Sequence, residues 1–130
     1  MSSDESGRVV VVTGANEGIG YHLLASLLDD GYRVAGLDVA TDELESLREA
    51  RPDRVDVRDC DVTADDDVRA AMDAVVDRWG RVDVLVNNAA VFTFGPFEAQ
   101  TLDDTRREFE VNYFGYVQTI RAVLPHMRAQ

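Results

Sequence analysis

The chain has 130 residues, 45% of them hydrophobic, enough for one domain with its own core. Its 25 acidic residues outweigh 13 basic ones for a net charge of -12, a balance that repels phosphate backbones and anionic lipid, so neither nucleic-acid nor membrane-surface binding is expected. Cys60 is the single cysteine, which rules out an internal disulfide and a cysteine-based zinc cluster.

All 13 basic residues are arginine. Aspartate in excess with arginine in place of lysine fits a halophilic protein, whose self-repulsion is screened by a salty cytoplasm; a GC-rich genome favours the same exchange. Met1 to Arg8 is polar and acidic with no secretory signal, and no apolar run is long enough to cross a bilayer, so the expected location is cytoplasmic. Ser2 to Gly7 reads as a disordered head.

Val9 to Val12 are four consecutive β-branched residues, the pattern of a short strand buried on both faces, and Thr13 closes it. Gly14, Gly18 and Gly20 come next as G-x-x-x-G-x-G. Ile19, Leu23, Leu24, Leu27 and Leu28 then recur at helical spacing. A glycine turn between strand and helix lets the main chain approach a pyrophosphate, which the unpaired N–H groups and dipole of the helix start attract. Asp29, Asp30 and Gly31 end the helix, and Tyr32 to Leu37 is a second strand leading to Asp38. An acidic residue there is placed to accept hydrogen bonds from an adenosine ribose diol, and Asp38 with Glu17 would repel a 2′-phosphate, so NAD is expected over NADP. The alternative for Asp38 is a cap on the helix starting near Thr41.

Thr41 to Ala50 is a short acidic helix with Leu44 and Leu47 inward, ended by Pro52. Arg54 to Arg58 alternates like a strand with one apolar face. Asp59 to Thr63 spells D-x-D-x-T, which also fits a phosphatase nucleophile motif; that chemistry wants a lysine to offset charge, and the chain has none. Thr63 to Trp79 is a helix with Val68, Ala71, Met72, Val75, Val76 and Trp79 on its core stripe and Asp65 to Asp67 in its dipole-matched first turn. Gly80 stops it. Val82 to Val86 is a fourth strand, Asn87 to Ala90 a turn at its end, and Val91 to Gln100 an irregular apolar stretch. Thr101 to Gln130 reads as one last helix, N-capped by Thr101, with Phe109, Tyr113, Val117, Ile120, Leu124 and Met127 as its inner stripe and Pro125 kinking or loosening its end.

The T-G-x-x-x-G-I-G of Thr13 to Gly20 resembles the short-chain dehydrogenase/reductase family, and the likeness runs through nearly all 130 residues. It implies an α/β fold, a Rossmann-type doubly wound parallel sheet of order 3-2-1-4 with helices on both faces. It implies a dinucleotide cofactor, with Gly14, Asn16, Gly18, Ile19 and Gly20 around the pyrophosphate and Asp38 on ribose. Asp61 and Val62 match a pair that meets adenine. Asn88, Ala89 and Ala90 match N-N-A-G beside the cofactor, Ala90 departing from the glycine, and Asn112 matches a proton-relay asparagine whose alternative role is a core amide bonded to main chain. Family members are about twice as long. Their later serine and Y-x-x-x-K have no counterpart here, since Tyr21, Tyr32, Tyr113 and Tyr116 have no lysine four residues on. The expectation is a truncated, NAD-binding portion, inactive by itself, whose uncovered fourth strand and last helix drive homo-oligomerisation. A non-catalytic dinucleotide-binding module and an inert fragment are the alternatives.

Overall fold

A computed structural model describes residues 7–130; the proposed head at Ser2 to Gly7 lies, Gly7 apart, outside the described residues. Strands and helices alternate along the chain as β1 (Val9–Thr13), α1 (Gly18–Asp29), β2 (Arg33–Asp38), α2 (Asp42–Ala50), β3 (Val55–Asp59), α3 (Asp65–Trp79), β4 (Val84–Val86), α4 (Leu102–Phe109) and α5 (Gly115–Ala129). The four strands are parallel in the order β3-β2-β1-β4, with Val10 opposite both Val34 and Val84.

β1 is central, and all of its residues are buried. Its alternating side chains feed two cores, because successive residues of a strand face opposite sides of the sheet. Val9 and Val11 pack with Ala35 and Leu37 against Val68, Ala71, Met72 and Val75 of α3 and Val123 of α5. Val10 and Val12 pack with Val34, Val55 and Val57 against Leu24 and Leu28 of α1 and Leu44 of α2. The sheet is thus covered on both faces, and every strand runs toward the same edge.

Three expectations need correction. β3 does not have one apolar and one wet face: Asp56 is 3% exposed, held by the guanidinium groups of Arg58 at 2.8 Å and Arg78 of α3 at 2.9 Å. A carboxylate can be buried where two arginines meet it. Val82 and Asp83, expected in the fourth strand, precede β4 instead: Asp83 donates its N–H to the Val9 carbonyl and accepts the Val9 N–H on its carboxylate at 2.8 Å.

The third correction concerns the last helix. Thr101 caps α4 as expected, in a capping box with Asp104, but Glu110–Phe114 forms a π-helical turn, and α5 then continues through Pro125 to Ala129. The buried face is Val111, Gly115, Thr119 and Val123. Phe109, Tyr113 and Ile120, expected inside, are 59%, 57% and 46% exposed.

Candidate functional site

The carboxyl ends of the central strands are stitched together by side chains that the sequence places just past each strand. Thr13, fully buried at the end of β1, accepts the N–H groups of Asn88 and Ala89 on its hydroxyl at 2.9 and 3.0 Å. Asn88 in return donates its amide to the Gly14 carbonyl at 3.1 Å. A Cβ on Gly20 would stand 2.5 Å from both the Gly14 carbonyl oxygen and the Asn88 amide, so the start of α1 is pressed directly onto the loop. Gly18, by contrast, has φ +59° with nothing within 4 Å of a Cβ: its main chain is bare on the outer side.

That bare start is also electrostatically open. Glu17 precedes α1 without capping it by its side chain, and α1 has no acidic residue in its first turn. Among the described residues α2, α3 and α4, which also start from loops, each carry two or three acidic residues there. Free N–H groups and a first turn without acidic side chains make the Gly18 to Gly20 turn better suited to an anion than the starts of α2, α3 and α4, although Glu17 just before it carries a negative charge. Ile19 is not on the inner stripe of α1; it is 80% exposed, beside this turn.

Asn16 lies inside the loop, 7% exposed. Its side chain faces away from the turn: the carboxamide oxygen accepts the N–H groups of Glu43 and Leu44 at 2.9 and 3.1 Å, and its NH₂ donates to Asp42 at 2.9 Å. Asn16 therefore caps α2 from outside, in place of Thr41, which makes no side-chain cap, and in place of the cap considered for Asp38. The carboxylate of Asp38 accepts the main-chain N–H of Asn16 at 3.0 Å on one oxygen and that of Ala40 at 3.3 Å on the other.

At the end of β3, Cys60 donates its N–H to the Asp38 carbonyl. Asp61 turns its carboxylate onto its own loop, accepting the Thr63 hydroxyl at 2.7 Å and the Thr63 N–H at 2.9 Å, which hold it below the ordinary carboxylate range. Val62 is buried, and its carbonyl accepts from Gln118 at 3.0 Å. Burial and the charges of Asp67, Asp61 and Asp59 push the Cys60 thiol up to about 12.

Past β4, Ala90 is exposed. Asn112, in the π-helical turn, closes on Val91 from both sides: its oxygen accepts the Val91 N–H at 2.9 Å and its NH₂ donates to the Val91 carbonyl at 2.8 Å. Gln130 makes the same double contact with Val82, and Thr119 donates to the Asn87 side chain at 2.6 Å. The loop, Asp38, Asn88 and Ala89 are thus gathered directly at one edge, with Asn112 joined to it through Val91. Asp42, Thr119 and Gln130 carry no motif, and only hydrogen-bonding in the fold reveals them. A polar crevice of about 340 Å³ between α3 and α5, lined by Asp65, Arg69, Asp73, Arg121, Pro125 and His126 among others, uses none of these groups. Among the described residues no helix is long and apolar enough to cross a membrane.

Comparison with known proteins identifies the family and the fold. The model of the family described as "short chain dehydrogenase" matches residues 8–130. Fluoren-9-ol dehydrogenase of Terrabacter sp. (strain DBF63) is 43% identical over 136 residues, covering 96% of this chain and 38% of that protein. A short-chain dehydrogenase from Streptomyces avermitilis is similar in structure with TM-score 0.88 and 38% identity, over 94% of this chain and 45% of the other. The 3-ketoacyl-(acyl-carrier-protein) reductase of Brucella melitensis, solved with NADH, gives TM-score 0.87 and 28% identity over 93% of this chain and 50% of that one. The chain spans half or less of the length of these three relatives. With a matching family model over almost every residue and the sheet order and glycine turn in place, the chain belongs to the short-chain dehydrogenase family.

Proposed function

We propose that this chain binds NAD as the nucleotide-holding part of an oxidoreductase that exchanges hydride between nicotinamide and an alcohol or carbonyl compound. One observation carries the reading: the acid-free start of α1 and the carboxylate of Asp38 occur at the same sheet edge, an anion site and a diol site side by side. The residues present fit the group. Gly14, Asn16, Glu17, Gly18, Ile19 and Gly20 form the turn for the pyrophosphate, Asp38 takes ribose, Asp61 and Val62 take adenine, and Asn88, Ala89 and Ala90 flank the nucleotide. Bound NAD supplies the hydride acceptor. Glu17 and Asp38 disfavour the extra phosphate of NADP by like charge. The carboxamide of Asn112 is committed to Val91, so its part in a proton relay falls to its main chain.

The 130 residues contain no lysine, so they do not themselves form the Tyr-x-x-x-Lys pair that the family resemblance implies for proton transfer. This favours a second reading, a dinucleotide-binding module without catalysis. Calorimetry separates the outcomes: heat with NAD and at least several-fold weaker binding of NADP is expected, and no heat with either overturns the site. Turnover of alcohols by the chain alone would mean that proton transfer here does without that pair. The unpaired side of β4, where Val84 is 40% exposed, and the exposed Phe109, Tyr113 and Ile120 support self-association. Light scattering that finds only monomer across concentrations would contradict it.

A further inference from the structure

The geometry points to Asn16 as a positioning residue for NAD selectivity, a lock whose side chain aims the Asp38 carboxylate while turned away from the cofactor. The inference rests on the NAD-binding reading above, and it concerns a residue whose family resemblance alone would place it at the pyrophosphate.

An ionised carboxylate has about four acceptor positions. In Asp38 one oxygen is occupied by the Asn16 N–H at 3.0 Å and the other by the Ala40 N–H at 3.3 Å. One further position remains on each oxygen, which suits the two hydroxyls of a ribose and offers nothing to a phosphate. The direction of those positions depends on where the two N–H groups hold the carboxylate plane. The Ala40 N–H is a neighbour in sequence and moves with Asp38. The Asn16 N–H comes from a different element, and it is fixed because the Asn16 side chain is fastened by three hydrogen bonds to the first turn of α2. That turn comes after β2, the strand that ends in Asp38, so Asn16 closes a ring that runs from the glycine loop to α2, back to Asp38 and to the loop again. Alanine at position 16 keeps the N–H but removes all three fastenings, leaving only buried Ala15, whose N–H meets the Leu37 carbonyl at 3.4 Å, to hold the peptide toward Asp38.

The test is a cycle of Asn16→Ala, Asp38→Ala and the double variant of the full chain, titrated with NAD and with NADP, and read in parallel by amide hydrogen exchange at residue 16. Asn16→Ala is expected to weaken NAD by about tenfold, the scale of one mis-aimed charged hydrogen bond, while changing NADP by less than about twofold. In the Asp38→Ala background it should have no further effect on NAD. The residue 16 amide should be protected in the wild type and lose protection in both single variants. Asp42→Ala, at an exposed position, removes one fastening and should shift NAD in the same direction by about threefold; it serves if Asn16→Ala does not fold. Equal loss of NAD and NADP, or an Asn16→Ala effect that persists undiminished without Asp38, would overturn the proposal. If the wild type binds no NAD, the nucleotide reading fails, and an unprotected residue 16 amide in that protein would overturn the lock separately.

Discussion

Asp83 illustrates how much one side chain can fix in this fold. It joins the start of β1 to the approach of β4, with its carboxylate on the Val9 N–H and Arg81 paired to it. Burial raises its pKa, but the hydrogen bonds from Arg81 and Val9 outweigh that and leave it lowered. A group lowered in the folded state adds stability above its unfolded pKa, near 4, and loses it as pH falls through the folded value. Urea midpoints measured from pH 6 to pH 2.5 should therefore drop less steeply in Asp83→Asn than in the wild type. Cys60 makes the opposite case. With its thiol raised to about 12 and its side chain 2% exposed, it should react with a disulfide reagent at pH 8 only at the rate of unfolding. Gly20→Ala forces a Cβ against two fixed atoms and should abolish NAD binding at a stability cost of about 1–3 kcal/mol, checked by calorimetry and denaturant titration.

Elements differ in how plainly their residues announce them. β1 and α3 are legible because burial on one or both sides leaves unbroken apolar patterns, Val9 to Val12 and Val68 to Trp79. Asp56 was illegible: alternation marks it as solvent-facing, and its burial depends on the approach of α3, whose Arg78 joins Arg58 on its carboxylate. The α4 to α5 segment misleads for a geometric reason. In its π-helical turn the Gly115 N–H reaches the Glu110 carbonyl, five residues back, and the residue gained over an α-turn rotates the downstream helix by about 100°. A stripe drawn at constant helical period from Tyr113 to Ile120 therefore leaves the core, while small Gly115 and polar Thr119 enter it; Phe109 precedes the turn and is exposed because α4 buries none of its residues. The candidate site was legible where glycines and acids carry it, as at Gly18 and Asp38. It was illegible where a side chain serves a distant main chain, as Asn16 does for α2. Asn112→Ala should leave both Val91 groups without their partner and cost about 1–3 kcal/mol in urea unfolding.

Across the molecule, the surplus of 25 acidic over 13 basic residues sets the terms of stability. Apart from the buried Asp56 and the largely buried Asp83, ion pairs such as Asp65 with Arg69 and Asp103 with Arg106 are exposed and contribute little individually, so dissolved cations are expected to relieve repulsion among the remaining carboxylates. The melting temperature should rise between dilute buffer and molar KCl; a flat or falling curve would remove the case for halophily. The acid-free start of α1 gives that dependence an unexpected partner. Potassium is added with a counter-ion, and the first turn of α1, which carries no acidic residue after Glu17, is where chloride would compete with a diphosphate. Swapping chloride for a bulky organic anion at constant potassium should then tighten NAD while lowering the melting point slightly, because an ion held by the folded chain stabilises it; the salt that steadies the scaffold would also tax its ligand.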